Sequence, residues 1–477
     1  MLQVSEKEIE TRLRLDNPWW EAGGGIHQEY RNFPRRAYLT LFSRLMRTPD
    51  IQRAIVLMGP RRVGKTILVY HAIQQLLDGG EVSGRDILYI SLETPLFTGL
   101  SLESLVRRFR ELFGRPAGTQ MFIFFDEIQY LKQWELHLKS LVDSYRDCRF
   151  IATGSAAAAL KTKSAESGAG RFTDFALPPL TFAEYLRFIN REDELIESVE
   201  GAESPRFVTR QIHELNSEFI NYLNLGGYPE AVFNEQVRAN PRRFIKSDII
   251  DKVLLRDLPS LYGISDIQEL NSLFNTLAYN TAQELSLEDL SKASHVTKVT
   301  LNRYLEYLEA AFLIRRVRRI DQNARHFKRM TTFKVFLTNP TMRAALFGPV
   351  NEHHEAIGHL AETAVFSQWL HNTAYINSIH YARWPRGEVD FVSLDPALLR
   401  PRFAVEIKWS DHAFDDPKAI KGLLDFTKKH HLQRMPLVTT QTKSGIRNFD
   451  GTPVEFAPVS VHSYTVAKNT LERRPYA

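Results

Sequence analysis

Eight residues, Gly59-Pro60-Arg61-Arg62-Val63-Gly64-Lys65-Thr66, constrain this chain more than any other stretch, because they meet the spacing G-x-x-x-x-G-K-[ST] without deviation. Such a run serves only at a bend between a buried strand and a helix. There the glycines let backbone N–H groups curl around phosphates at the positive end of the helix. The flanks meet that demand: Ala54–Met58 is wholly apolar, and the residues from Thr66 to Leu77 read as a helix. Gly59 through Ile67 are therefore the expected ATP contacts, with Lys65 a point charge on the β and γ oxygens and Thr66 a hydroxyl ligand for Mg²⁺.

A phosphate loop of this kind needs a parallel sheet behind it. Between Arg53 and Pro179 the short apolar runs Ile87–Leu92, Met121–Phe125, Phe150–Thr153 and Thr173–Leu177 alternate with helical stretches, the pattern of strands buried on both faces. The run Met121–Phe125 ends in Asp126-Glu127, at the strand end where such sheets present ligands. Asp126 is expected to hold Mg²⁺ through water and Glu127 to polarise the attacking water. The next run ends in Thr153-Gly154-Ser155, whose hydroxyls suit either a γ-phosphate sensor or a cap for the Ala-rich stretch that follows.

At 477 residues the chain exceeds one ordinary core, so several domains are expected. The divisions read are a leader over 1–48, the ATPase core over 49–180, a helical lid over 181–260, a winged helix over 261–325 and a last α/β domain over 326–477. The leader contains Trp19, Trp20 and Pro34-Arg35-Arg36, and lacks the layout of a signal peptide. No apolar run is long enough to span a bilayer, so no membrane role is expected. The one cysteine, Cys148, excludes an internal disulfide and fits the reducing cytoplasm. A net charge of +5 is compatible with nucleic acid without requiring it.

Beyond Phe182 the pattern is helical, interrupted by an acidic stretch from Glu192 to Glu203 that reads as solvated and by Gly226-Gly227-Tyr228-Pro229. Three helices are then expected over Ile267–Ala278, from Leu287 with Ser286 as its cap, and over Thr297–Ala311. Lys298, Asn302 and Arg303 open the third, where a recognition helix offers side chains to a groove. The strand from Ile314 to Ile320, with Arg315, Arg316, Arg318 and Arg319, reads as a wing that meets phosphates. Winged helices also serve as protein-packing modules, and that alternative stays open here.

The last third carries a second constellation. Glu362 lies on the expected helix Ile357–Leu370, Asp390 follows the Pro385-Arg386-Gly387 turn, and Glu406 and Lys408 stand two apart on a later strand. That spacing puts Glu406 and Lys408 on one face. Carboxylates so grouped can hold Mg²⁺, and a lysine beside them can position water for attack on a phosphodiester. The order of long helix, three strands, helix and strand resembles the restriction-endonuclease-like PD-(D/E)XK fold. That likeness implies a nuclease-like domain in which Glu362, Asp390 and Glu406 are metal ligands and Lys408 is catalytic. Cutting and mere binding both remain open.

Taken together, Gly-Pro-Arg-Arg-x-Gly-Lys-Thr, the Thr-Gly-Ser strand end, Gly226-Gly227-Tyr228-Pro229 and Glu406-Ile407-Lys408 resemble a prokaryotic family of AAA-type P-loop ATPases fused to a carboxyl-terminal domain of unknown function. The resemblance runs from about Arg35 to Val438. Where many members carry Asp-x-Gly-Leu, this chain has Leu337-Thr338-Asn339-Pro340-Thr341-Met342. The AAA-type resemblance implies that Arg171, just before the last core strand, is an arginine finger completing a neighbouring subunit's site, and hence a ring, a hexamer being the starting expectation. The function expected is ATP-driven DNA processing by a ring-forming translocase or remodeller of duplex or branched DNA, with or without cleavage. The alternative is an ATP-switched signalling or defence ATPase acting through protein partners.

Overall fold

The computed structural model describes residues 5–48, 52–97, 99–154, 170–199, 206–325 and 331–472. The chain divides into two units, Met1–Leu177 and Pro178–Ala477. Among the described residues no helix is long and apolar enough to cross a membrane.

The first unit is built on strands β1 (Ala54–Met58), β2 (Ile87–Ser91), β3 (Met121–Asp126), β4 (Cys148–Gly154) and β5 (Phe172–Ala176). All pair in parallel, in the order β2-β3-β4-β1-β5. β1 and β3 are buried along their whole length, which is why they read as unbroken apolar runs. The phosphate loop leaves the end of β1 and enters the helix Lys65–Asp78.

The leader is not a separate appendage; it closes the β2 edge of this sheet. Asn17 pairs with Tyr89 as a strand would, accepting its N–H at 2.6 Å and donating to its carbonyl at 2.9 Å. Trp19 and Trp20, both buried, each donate an indole N–H to the Ile87 carbonyl, at 3.1 and 2.8 Å. An edge strand left bare would offer its backbone groups to another chain. Here side-chain amide and indole groups satisfy them, while Trp20 stacks on Phe109.

In the second unit, nine strands form one mixed sheet: β8 (Glu284–Ser286), β9 (Ile314–Ile320), β10 (Thr332–Leu337), β11 (Ile379–Trp384), β12 (Gly387–Leu394), β13 (Pro401–Glu406), β14 (Leu437–Thr440), β15 (Gly445–Phe449) and β16 (Thr452–Pro458). The short strands β6 (Glu197–Val199), inside the acidic stretch read as solvated, and β7 (Arg206–Val208), beyond it, pair antiparallel and are largely exposed. Glu192 in that stretch is anchored, accepting from Tyr464 and Lys468 at 2.7 Å each.

The three helices expected after 266 are present as Ile267–Tyr279, Leu287–Ser294 and Lys298–Ala310, with Ser286 and Thr297 accepting from backbone N–H groups as caps. The arginine strand is not a projecting wing. β9 lies inside the sheet, antiparallel to β10 and parallel to β11. Arg316 is nearly buried against Glu309 at 2.7 Å, Arg315 donates to Asn377, and Arg319 donates to the Arg383 carbonyl. Arg318 is exposed. The expected order of helix Ile357–Trp369, three strands β11 to β13, helix Lys421–His430 and strand β14 is present. It is preceded by β10 and followed by the β15–β16 hairpin and the helix Val459–Glu472, which the pattern had not suggested. The sheet thus runs across the division read at 325/326. Likewise the helices Phe182–Phe188 and Ile212–Leu225 share one apolar core with Ile357–Trp369 and Val459–Glu472.

Candidate functional site

Gly64 opens the helix Lys65–Asp78 with φ +90°, a left-handed conformation that a side chain would strain and that turns the loop's N–H groups inward. Arg62 also has a positive φ of 64° and stands exposed, Arg61 is half-buried, and Val63 is buried with its carbonyl accepting from the leader's Arg36 at 2.7 Å. Ile67 lies half-buried in the first helical turn. The Lys65 ammonium folds over the loop and donates to the carbonyls of Gly59 and Pro60, at 3.1 and 2.8 Å. Backbone carbonyls are the weaker partners, so an anionic phosphate in the loop would take this ammonium from them.

Behind the loop, the carboxylate of Asp126 accepts from Thr66 Oγ1 at 2.9 Å, from Tyr89 Oη at 2.8 Å and from Thr153 Oγ1. Burial and the adjacent Glu127 push its pKa above the ordinary range, against the pull of these three hydroxyls. Thr153 also accepts the Glu127 N–H at 3.0 Å, so one buried hydroxyl ties the two acidic residues together. Glu127 itself has φ +55° and receives the side-chain amide of Gln129. Thr66, Asp126, Thr153 and the Glu127 backbone are joined in one hydrogen-bonded network; Ser155 lies outside the described residues. Tyr89, which the sequence reading did not single out, is part of the same network. A hydroxyl and a carboxylate at 2.9 Å on the phosphate side are a donor set that fits Mg²⁺, which Thr66 and Asp126 would hold. Arg171 sits elsewhere on the unit, its half-exposed guanidinium paired with the equally exposed Asp143.

The carboxyl-terminal constellation also converges. Glu362, Asp390 and Glu406 are all buried, and Lys408 donates to Glu406 Oε1 at 2.8 Å. Two corrections follow from the backbone. β13 ends at Glu406, so Lys408 lies beyond the strand, where its N–H and carbonyl both bond Thr439 Oγ1. Asp390 is the fourth residue of β12, which begins already at Gly387 of the turn that the sequence places before it. A residue absent from the sequence reading stands at the centre. Lys334, on β10 and 3% exposed, places its ammonium 2.9 Å from Glu362 and 3.0 Å from both Asp390 and Glu388. Burial works against that charge, but Glu362, Asp390 and Glu388 hold the ammonium well above its usual range. Burial would also raise Asp390, yet Lys334 and then Lys408 leave it below the ordinary carboxylate range. Glu362 is pushed well up by burial and by Asp390, and Glu406 is raised to about 7 by the same two causes. Among the described residues no three His, Cys, Asp or Glu side chains are set to hold a metal ion. Mg²⁺ binds oxygens at about 2.0–2.1 Å, which for Glu362, Asp390 and Glu388 means the space the Lys334 ammonium fills. As built, the cluster does not fit a divalent ion.

Comparison with known proteins agrees with the first site and is silent on the second. Residues 51–186 match the model of an AAA domain, and residues 216–352 match a domain of unknown function (DUF8612). An uncharacterized protein of Haemophilus influenzae is 24% identical over 79% of this chain and 88% of its own length. One from Methanocaldococcus jannaschii is 24% identical over 71% of each. Among solved structures, the Aeropyrum pernix ORC2 protein in ADPNP–ADP complexes covers 65% of this chain and 92% of its own, at 13% identity and a TM-score of 0.39. AMPPCP-bound DnaA from Aquifex aeolicus covers 60% and 92%, at 12% identity and 0.30. Similarity that slight assigns nothing further to this chain. The matched stretch, holding the phosphate loop, Asp126, Glu127 and Thr153 in one parallel sheet, is an AAA-type P-loop ATPase domain.

Proposed function

We propose that this chain hydrolyses ATP at Lys65, Thr66, Asp126 and Glu127 and uses the cycle to do work on DNA. The observation that carries the hydrolysis is the Thr153 hydroxyl, which fixes Asp126 and Glu127 relative to one another. Mg²⁺, held by Thr66 and Asp126, would neutralise charge on the phosphate oxygens. The chain's own residues do the rest. Lys65 leaves the loop carbonyls for the phosphate, Glu127 orients water, and Thr153 holds the Asp126 carboxylate and the Glu127 backbone.

Support for DNA as the object of that work comes from the helix Lys298–Ala310. Its amino-terminal turns leave Lys298 and Arg303 exposed, with Lys298 and Lys292 of the preceding helix sharing the exposed Glu288 as ion-pair partner, on a chain of net charge +5. Phosphates meet such a face well. Self-association into a ring, with Arg171 completing a neighbour's site, belongs to the same proposal. So does a cytoplasmic setting, which suits a lone buried Cys148 whose thiol burial pushes up to about 12.

The test is ATP hydrolysis without DNA and with linear duplex, single strand or a four-way junction, beside a Glu127→Gln control. Stimulation by one DNA form, abolished by Glu127→Gln, is the expected result. A slow rate indifferent to all four conditions would overturn the DNA reading in favour of a nucleotide switch acting on a protein partner.

A further inference from the structure

The cluster around Lys334 has the carboxylates of a metal site with a cation already in it. Of its N–H donors, the Lys334 ammonium gives one to Glu362 at 2.9 Å and one to Asp390 at 3.0 Å, and it pairs in charge with Glu388 at 3.0 Å. The second Asp390 oxygen accepts the Ile407 N–H at 2.9 Å, and Lys408 answers Glu406. Lys334 reaches this place from β10, a strand fixed on both sides by β8 and β9, so its stem is as constrained as its head. A buried ion pair of this kind is costly to break from one side, because the remaining charges are left uncompensated.

We infer that the Lys334 ammonium is the resident cation of this cluster, excluding divalent metal from Glu362, Asp390 and Glu388, so that the carboxyl-terminal domain does not carry out metal-dependent phosphodiester cleavage. The converse also follows: removing the ammonium while keeping the stem turns the same oxygens into a divalent-cation site. Neither statement rests on the DNA reading above, since the cluster's occupancy is the same whatever the ATP cycle acts upon.

The experiment is Mn²⁺ binding by the full chain, followed through the paramagnetic resonance signal of free Mn²⁺ without nucleotide. Asp126→Asn is present in every protein to silence the ATP site. The parent is expected to show no Mn²⁺ site dependent on Asp390. Lys334→Met is expected to gain one site per chain, at least about tenfold tighter than any residual binding by the parent, and adding Asp390→Asn should remove it. A thermal melt of Lys334→Met should rise on adding Mn²⁺, as binding to the folded state alone requires. An Asp390-dependent Mn²⁺ site in the parent overturns the inference, and so does a folded Lys334→Met protein that gains none. If Lys334→Met is too unstable to purify, the parent compared with Asp390→Asn decides alone: an Asp390-dependent site overturns the inference and its absence upholds it. Failure here would leave DNA-stimulated hydrolysis untouched, and the reverse holds too.

Discussion

Asp126 shows how much of an ATP site lies outside its motif residues. Thr66 and Thr153 belong to stretches whose spacing announces them, but the third hydroxyl on this carboxylate comes from Tyr89, at 2.8 Å from β2. Tyr89 is in turn fixed through its backbone by Asn17 of the leader. Hydrogen bonds to a charged acceptor contribute about 1.5–3 kcal/mol when buried, and this one orients the carboxylate that, on the proposed reading, would hold Mg²⁺. Tyr89→Phe removes the donor with little change of shape. We expect kcat to fall about tenfold with ATP affinity nearly unchanged, because the bond serves the metal and not the loop. Hydrolysis and nucleotide binding measured on the same protein check this, and an unchanged kcat would show the bond to be packing only. Tyr89 was illegible in the sequence for a plain reason: in a run of Ile, Leu, Tyr, Ile and Ser a tyrosine reads as core, and its partner lies 37 positions away. Lys334 was illegible for the opposite reason. A lysine within Thr-Phe-Lys-Val-Phe-Leu argues against a buried strand, and only the carboxylates of a distant helix and strand make its burial tolerable.

At the scale of elements, the join between helices and sheet in the second unit rests on a turn and a loop that meet without slack. Gly227 donates its N–H to Thr341 Oγ1 at 3.1 Å, and Asn339, fully buried, donates to Tyr222 Oη. A Cβ on Gly227 would come within 2.2 Å of the Asn339 side-chain oxygen. The segment Leu337-Thr338-Asn339-Pro340-Thr341-Met342, which departs from the Asp-x-Gly-Leu of the resembling family, is thus a buried polar lock that receives the Gly-Gly turn. Gly227→Ala should destabilise the fold by about 1–3 kcal/mol, the cost of overpacking a site that cannot yield. Urea unfolding checks this, and a loss under half a kilocalorie would mean that Asn339 can move aside. The elements that did read from sequence are those whose periodicity is unambiguous. β1 is buried throughout and was read with the bounds it has, and the helices after 266 carry their caps in plain sight. The strand β9 was found, but its setting was not. Four arginines read as solvent-facing until Glu309, Asn377 and the Arg383 carbonyl are known to receive three of them.

For the molecule as a whole, the open question is whether one chain makes a complete ATP site. The phosphate loop carries Arg61 and Arg62 beside Lys65, of which Lys65 is folded onto the Gly59 and Pro60 carbonyls, and a loose phosphoryl-transfer transition state gains from a further positive group supplied from outside the loop. In the proposed ring, Arg171 would be the group lent to a neighbour. It is 44% exposed, its backbone is fixed by the bond from Ala54 N–H to its carbonyl at 2.9 Å, and its partner Asp143 is equally exposed. An ion pair between two such exposed groups is worth at most about 1 kcal/mol, so a phosphate on the adjoining subunit can displace it. The Arg171→Ala protein should then lose hydrolysis about a thousandfold while still binding ATP, and Lys65→Ala should be inactive for its own reason. Mixing the two with subunit exchange separates a trans role from a cis one. In a closed ring about a quarter of the interfaces would pair an intact Lys65 with an intact Arg171 from the next subunit, and hydrolysis should return in that proportion. No recovery on mixing would confine Arg171 to its own subunit, and full activity of Arg171→Ala alone would reduce it to a surface ion pair and remove this argument for a ring.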